Sequence, residues 1–345
     1  MNMAAPLVAC ELVSGGDGLR AALSDRRYAL GLICYGDVSP ESGEVPCASV
    51  AMPVLGGSAS FCEVWRSGSV PNSGRHGAVS FREDGSLLFG CLTCDDRSTA
   101  SSGSPLRDAA RDAYAGIFAA ADGLGFPHLV RFWNYFSDIN LEVDGLERYR
   151  QFNIGRQEGF SAGGRALDAN LPAACALGTH GGPLVVAFLA AREPPIQVEN
   201  PRQISAYEYP PEYGPRSPTF ARASLLPCAD GEFLLISGTA SIVGHRTVHV
   251  GDASAQTAET LANLRAVIEA VNRASRAGGY ELRDLALKVY LRDPFDLAAI
   301  RAHIESAADA PAEVVFLQAD ICRRDLLVEI EATAQSRCTV SACAG

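Results

Sequence analysis

Apolar and polar residues along this chain switch between a period of two and a period near 3.6, and the switches fall at glycines and prolines. In the C-terminal part, residues 233–237 read as a short strand. Over 256–276, Leu261, Leu264, Ile268 and Val271 fall on one helical face, and Gly278-Gly279 supplies the stop. Residues 285–292 read as a strand ended by Asp293-Pro294, 295–307 as a second helix, and 313–318 and 326–331 as strands. The predicted order is βαβαββ.

The first half repeats this layout. Residues 30–35, 61–66, 78–81 and 87–91 have strand character. Ser104-Pro105 opens a helix as N-cap and first residue, with Leu106, Ala113, Ile117 and Ala121 turned inward and a stop at 123–125. A strand at 128–135, a helix at 146–155 and a strand at 184–190 follow. Set against each other, GLGFPHLVRFWNYFSDIN and AGGYELRDLALKVYLRDPFD point to a diverged internal duplication. The expected division is an N-terminal half over 1–195, a Pro- and Tyr-rich connecting segment over 196–218, and a C-terminal domain over 219–345 that carries the candidate acid. Prolines keep the connecting segment irregular. Its Tyr207, Tyr209, Tyr213 and Arg216 fit either a wall lining a site or a packed strap between the halves.

Composition narrows the function. The chain has 345 residues, 48% hydrophobic, enough for a large core or two fused ones. A net charge of -11 argues against nucleic acid or an anionic membrane as the main partner. No window approaches transmembrane length, the N-terminus lacks a basic segment before its short apolar stretch, and the 11 cysteines show no framework spacing. A reduced, cytoplasmic protein is expected.

The chemistry begins at the last strand. In DICRRDLLVEIEA, Glu329 and Glu331 stand where a buried strand would carry Val or Ile, and the Cys322 thiol precedes them. A carboxyl on a core strand is costly unless its environment uses it, so Glu329 is the candidate for a perturbed acid. Other signals are weaker. Cys91 and Cys94 form a CxxC without a second pair at zinc-site spacing. His245 and His249 share a face but favour a structural reading over a metal site. Lys288 is the sole lysine, hence the sole amine for Schiff-base chemistry. No GxGxxG, P-loop or GxSxG occurs, and with no second Cys/His pair at zinc-site spacing the expected chemistry uses no nucleotide, metal or covalent serine. Arg156, Arg216 and Arg222 lie in otherwise neutral segments and together suit a carboxylate-binding pocket, although each alone fits an internal ion pair.

Five segments then carry a resemblance: FWNYFSDIN at 132–140, GLERYRQFNIGR at 145–156, YGPRSPTFARA at 213–223, SGTASIVGHRTVH at 237–249 and DICRRDLLVEIEA at 320–332. In this order they resemble the chorismatase family. The resemblance implies an α/β fold of two RidA/YjgF-like halves, with mixed sheets each backed by two helices. It implies chorismate as the small-molecule substrate, pyruvate release without a cofactor, and Glu329 as the acid that protonates the enol ether. Arg156, Arg222, Arg216, Tyr149, Tyr213 and Asn134 would position substrate. Gly238 and Cys322 match the 3-hydroxybenzoate-forming type, whereas the type that hydrolyses chorismate to a dihydroxycyclohexadiene carboxylate carries Ala at both positions. Two further readings remain: an imine deaminase of the RidA type, whose arginine would fall near Ile321, and a non-catalytic metabolite-binding protein. RidA relatives are trimers, and a duplicated chain can satisfy that interface internally, so a homotrimer and a pseudo-symmetric monomer both stay open.

Overall fold

One strand order recurs three times in the structure, a computed structural model that describes residues 9–37, 42–97, 104–228, 231–308 and 313–337. The first sheet uses β1 (Ala9–Ser14), β2 (Ala29–Gly36) and β3 (Cys47–Val50), with helix α1 (Gly15–Ala22) between β1 and β2. After β4 (Val54–Leu55), which pairs elsewhere, β5 (Ser60–Arg66) completes the order β1-β5-β2-β3.

The second sheet contains β6 (Asn72–His76), β7 (Val79–Glu83), β8 (Leu87–Cys94) and, after α2 (Pro105–Gly123), β9 (His128–Ser137). A small hairpin, β10 (Glu142–Val143) and β11 (Leu146–Glu147), leads into α3 (Arg148–Ala162), β12 (Ala173–Thr179) and β13 (Leu184–Ala191). The order is β12-β9-β13-β8-β7-β6.

The third begins with β14 (Ile196–Val198), β15 (Ala223–Cys228) and β16 (Gly231–Ala240). A second hairpin, β17 (Ile242–Val243) and β18 (Arg246–Thr247), precedes α4 (Ala253–Ala274), β19 (Ala286–Leu291), α5 (Leu297–Ala308), β20 (Glu313–Gln318) and β21 (Val328–Arg337). The order is β14-β15-β16-β21-β19-β20-β4.

The expected fold class is present: two mixed sheets, one packed on α2 and α3, the other on α4 and α5. The first sheet adds a third version of the same unit. β1-β5-β2-β3, β8-β13-β9-β12 and β16-β21-β19-β20 each run antiparallel, antiparallel, parallel. The inner faces of all three sheets share one core, with Tyr35, Trp65, Phe89, Trp133, Phe233 and Tyr290 in it. Strands buried on both faces read as continuous apolar runs, which is why β2, β9 and β13 lack alternation.

Several boundaries moved for physical reasons. Helix α3 extends past Gly155 and through Gly159 to Ala162. Both glycines face α2: a Cβ on Gly159 would lie 2.6 Å from Tyr114 Cβ, and one on Gly155 would strike the Arg107 carbonyl. They permit close helix packing instead of ending the helix. Helix α4 starts earlier, where Asp252 caps it by accepting from Ala255 N at 2.9 Å. Cys34 and Cys62 stand opposite each other on β2 and β5 and are joined by a disulfide. This departs from the reading of uniformly reduced thiols, because only the strand register brings the two together. Cys91 and Cys94 fall on opposite faces of β8, as an odd spacing in a strand requires. Among the described residues, no helix is long and apolar enough to cross a membrane.

Candidate active site

The seam between the second and third sheets is unusually close. Gly178 on β12 exchanges backbone hydrogen bonds with Asp320, at 2.7 and 3.1 Å, and Ala173 bridges Ala221. A Cβ on Gly178 would lie 2.7 Å from Asp320 Cβ, so glycine is needed for this approach. The seam carries the chain from Asp320 into Cys322 and β21.

β21 lies between β16 and β19, in the middle of its sheet. Glu329 and Glu331 on it are therefore buried, at 4% and 2% exposure, and an edge-strand position is ruled out. Opposite them, β16 has a bulge: Ile236 pairs with Ala332 and Thr239 with Ile330, so Ser237 and Gly238 together face Glu331. Ser237 holds the bulge by donating to Ala221 O at 2.5 Å and accepting from Ala174 N at 2.8 Å. Over Gly238 lies the Glu329 carboxyl. A Cβ on Gly238 would be 2.8 Å from Glu329 Cδ, nearer still to Oε1, and 3.3 Å from Cys175 Cβ.

Above Glu329 opens a cavity of about 480 Å³, within the range of small-molecule sites. Hairpin β10–β11 supplies Gly145 and Glu147, α3 supplies Tyr149 and Arg150, the Pro- and Tyr-rich segment supplies Tyr209 and Tyr213, and the residues just before β15 supply Phe220 and Arg222. Gly238 and Glu329 form the floor with Cys322, and Arg323 and Arg324 complete the wall.

Burial first, and the Glu331 charge second, push the Glu329 carboxyl up to about 8, although Arg131 and Arg222 oppose the shift. Glu329 therefore holds a proton at neutral pH, as a general acid must. Burial and then Glu329 push the Cys322 thiol up to about 12, which keeps it a neutral thiol. Burial likewise raises the Tyr149 hydroxyl, with Cys322 adding to it.

Arg222 is buried, and its Nη2 donates to Tyr209 Oη at 2.8 Å and to Ile204 O at 2.9 Å. Its Nε has no partner among the described residues. Arg323 donates to His245 O at 2.9 Å and stacks on Tyr213, 3.9 Å from the ring centre. His245 Nδ1 stands 3.3 Å from Tyr213 Oη, tying the hairpin β17–β18 to the same wall. His249 instead sits 3.5 Å from Glu259, so the two histidines serve different contacts.

Of the sequence-derived candidates, Glu329, Cys322, Gly238, Tyr149, Tyr213 and Arg222 come together around this cavity. Three do not line it. Arg216 is exposed on the connecting segment. Asn134 is buried, accepts from Tyr114 Oη and donates to Cys175 O, both at 2.8 Å. Arg156 is buried in a cage of Tyr114, Phe132 and Phe160, with Nε and Nη2 lacking partners among the described residues. Ile321 is fully buried. Arg150, Arg323, Arg324 and Phe220 line the cavity without having been singled out for substrate; the adjacency of Arg323 to Cys322 was the available signal.

Comparison with known proteins agrees with this geometry. A family model described as "Chorismatase FkbO/Hyg5-like, N-terminal" matches residues 63–190. A chorismatase of Streptomyces rapamycinicus is 41% identical over 280 residues, covering 79% of this chain and 81% of that protein. A 3-hydroxybenzoate synthase of Streptomyces hygroscopicus is 38% identical over 280 residues, covering 79% and 80%. A crystal structure of a chorismatase superposes with a TM-score of 0.85 at 36% identity, over 96% of this chain and all of that one. At these identities over most of both chains, the protein whose buried acid has just been described belongs to the chorismatase family.

Proposed function

We propose that this enzyme converts chorismate to 3-hydroxybenzoate and pyruvate, with Glu329 as the acid. The observation that carries the reading is a buried carboxyl, which burial pushes up to about 8, at the floor of a cavity whose walls present Arg222 and Arg323. Chorismate brings two carboxylates to such arginines and an enolpyruvyl ether whose methylene accepts a proton. Proton transfer from Glu329 to that methylene makes the ether an oxocarbenium-like leaving group. The ring C3–O bond breaks, and its electron pair stays with the oxygen that becomes the pyruvate carbonyl. The 4-hydroxyl oxygen bonds to C3 and gives up its proton, which Glu329 takes back. The C4–O bond of the resulting arene oxide breaks, C3 keeps the oxygen and loses its proton, and the oxygen gains one, giving 3-hydroxybenzoate. Atoms balance without water or an oxidant.

Gly238 and Cys322 support this internal route over hydrolysis. The absent Cβ at 238 leaves Glu329 its position, and the neutral Cys322 thiol narrows the same floor without offering a nucleophilic thiolate. The imine-deaminase reading finds no arginine at Ile321. A binding-only reading does not account for an acid kept protonated at the cost of burial.

The test is incubation of the purified protein with chorismate, pyruvate assay and separation of the aromatic product. Equal amounts of pyruvate and 3-hydroxybenzoate are expected. Absence of pyruvate overturns the reading, and a dihydroxycyclohexadiene product overturns the internal route alone.

A further inference from the structure

Glu329 has a second acid on its own strand face. Glu331 lies two residues on, equally buried, and is enclosed by groups that the acid chemistry does not use. Arg131 Nη2 on β9 is 2.5 Å from Glu331 Oε2, and Trp133 Nε1 donates to Oε1 at 3.2 Å. Lys288 on β19, the register partner of Glu331, ion-pairs with both Glu331 and Glu63 of β5 and donates to Tyr35 Oη at 2.9 Å. Buried ions cost several kcal/mol each unless paired, and a packed apolar set is often as stable. The second sheet shows the apolar solution at the same places: where the third has Lys288 opposite Glu331, it has Trp133 opposite Ala187. Charge at the third position therefore calls for a reason other than packing.

The units also separate the two acids. Tyr35, Tyr135 and Tyr290 occupy equivalent positions, and their register partners are Phe61, Val185 and Glu329. Two residues further come Glu63, Ala187 and Glu331. An acid at the Glu329 position occurs in one unit of three, and the charged cluster is built next to that one.

We infer that Glu331, held as an anion by Arg131 and Lys288, is a positioning residue that places a fixed negative charge beside Glu329 and so keeps Glu329 in its proton-donating form. The inference rests on the reading of Glu329 as the acid. Burial works against ionising Glu331, but Lys288 and Arg131 outweigh it and hold its carboxyl below the ordinary range. The other groups facing the pair are Cys10 from β1, Tyr35 from β2, Tyr135 from β9, Cys175 from β12, Tyr290 from β19, Tyr149 from α3 and Cys322; burial raises each of them, and they stay neutral. Glu63 is pushed up by burial, with Lys288 opposing. Arg222 faces Glu329 from the cavity side and favours its anion. Among these, Glu331 supplies the fixed charge that favours the protonated acid.

The test compares charge-changing variants in opposite directions. Glu331→Gln should move the basic limb of the kcat/KM profile to lower pH by about one unit, because the anion is gone and Arg131 and Lys288 remain. Lys288→Met should move it upward. The double variant, which removes one charge of each sign, should return it close to the native position. A residue that only supports the fold would not shift the limb in two directions, so shifts in one direction, or none, overturn the inference. Because an unpaired buried charge can prevent folding, the same question is put to the native protein by carbon-13 NMR of labelled glutamate, with Glu329→Gln used for assignment. Glu331 should stay ionised through the range in which Glu329 takes up its proton. Protonation of Glu331 before Glu329 overturns the inference, and this readout needs no turnover, so it stands apart from failure of the chorismate reading.

Discussion

The carboxyl group of Glu329 occupies the space that a side chain on Gly238 would fill: a Cβ there would stand 2.8 Å from Glu329 Cδ. The relationship arises from backbone as well as composition. The bulge at Ser237-Gly238 interrupts the register of β16 with β21 next to the acid, and Ala174 of the neighbouring sheet holds it by donating to Ser237. Cys175 closes the other side at 3.3 Å. Glu329 is thus confined by its neighbours and has no ion pair among the described residues, which suits a group that must give up its proton and recover it.

The first prediction concerns pH and rate. With its carboxyl raised to about 8, Glu329 is protonated below that value and ionised above it. The kcat/KM for pyruvate release should be level near neutrality and fall about tenfold per pH unit above the transition. Glu329→Gln should lower turnover by about 10²–10⁴-fold with an unchanged circular dichroism spectrum. Full activity in that variant would remove Glu329 from the mechanism.

The same shift bears on stability. The ordinary value of 4.5 applies to the unfolded chain, so folding takes up a proton between about 4.5 and about 8. Native stability contributed at this site is greatest at the acid end of that window and falls as pH rises through it. Glu329→Gln abolishes that dependence. Urea unfolding at pH 6 and pH 8 should show the variant gaining on the native protein as pH increases, and a pH-independent difference would contradict the raised value.

How far the sequence displayed this site depends on the kind of signal. Glu329 was legible because an acid breaks an apolar strand, and Cys322 because it stands close before it. The bulge that aims Gly238 was not, since a bulge is a property of register between strands far apart in sequence. Lys288 read as a strand residue and a lone amine; only three-dimensional contact shows it between Glu63 and Glu331. The first sheet escaped as a unit because its short strands β1 and β3 carry little pattern and no helix lies between β2 and β3 among the described residues. Neutral surroundings made Arg156, Arg216 and Arg222 look alike, although one is caged by rings, one is exposed and one lines the cavity.

That contrast gives a prediction about substrate binding. Arg222→Ala should raise the KM for chorismate about tenfold or more, as the loss of a charge-assisted contact of about 1.5–3 kcal/mol implies. Arg216→Ala should leave KM within about twofold, as expected of an exposed side chain clear of the site. Arg323→Ala should raise KM too, since it removes a cavity cation and unstacks Tyr213. Steady-state kinetics on the three variants checks the set. Equal effects at Arg216 and Arg222 would show that the carboxylates are held elsewhere.

Cys322 and Gly238 together should govern the product. Gly238→Ala forces the Glu329 carboxyl away from its present place, and the displaced end is a flexible side chain, so the protein should fold and retain pyruvate release at about a tenth of the native rate or less, a loss of about 1.4 kcal/mol. Cys322→Ala takes a neutral thiol from the same floor and leaves a small space beside the ring. In the double variant the ring is no longer pressed into one pose, and a water molecule can reach C3 in competition with the 4-hydroxyl. The aromatic fraction should fall and the dihydroxycyclohexadiene fraction rise, read by chromatography of the products at equal pyruvate release. Each single variant should shift the ratio less than the pair, because the remaining group still limits the opening. An unchanged ratio in the double variant would mean that the choice between internal and external oxygen is made by residues away from Glu329, leaving Gly238 with the placement of the acid alone.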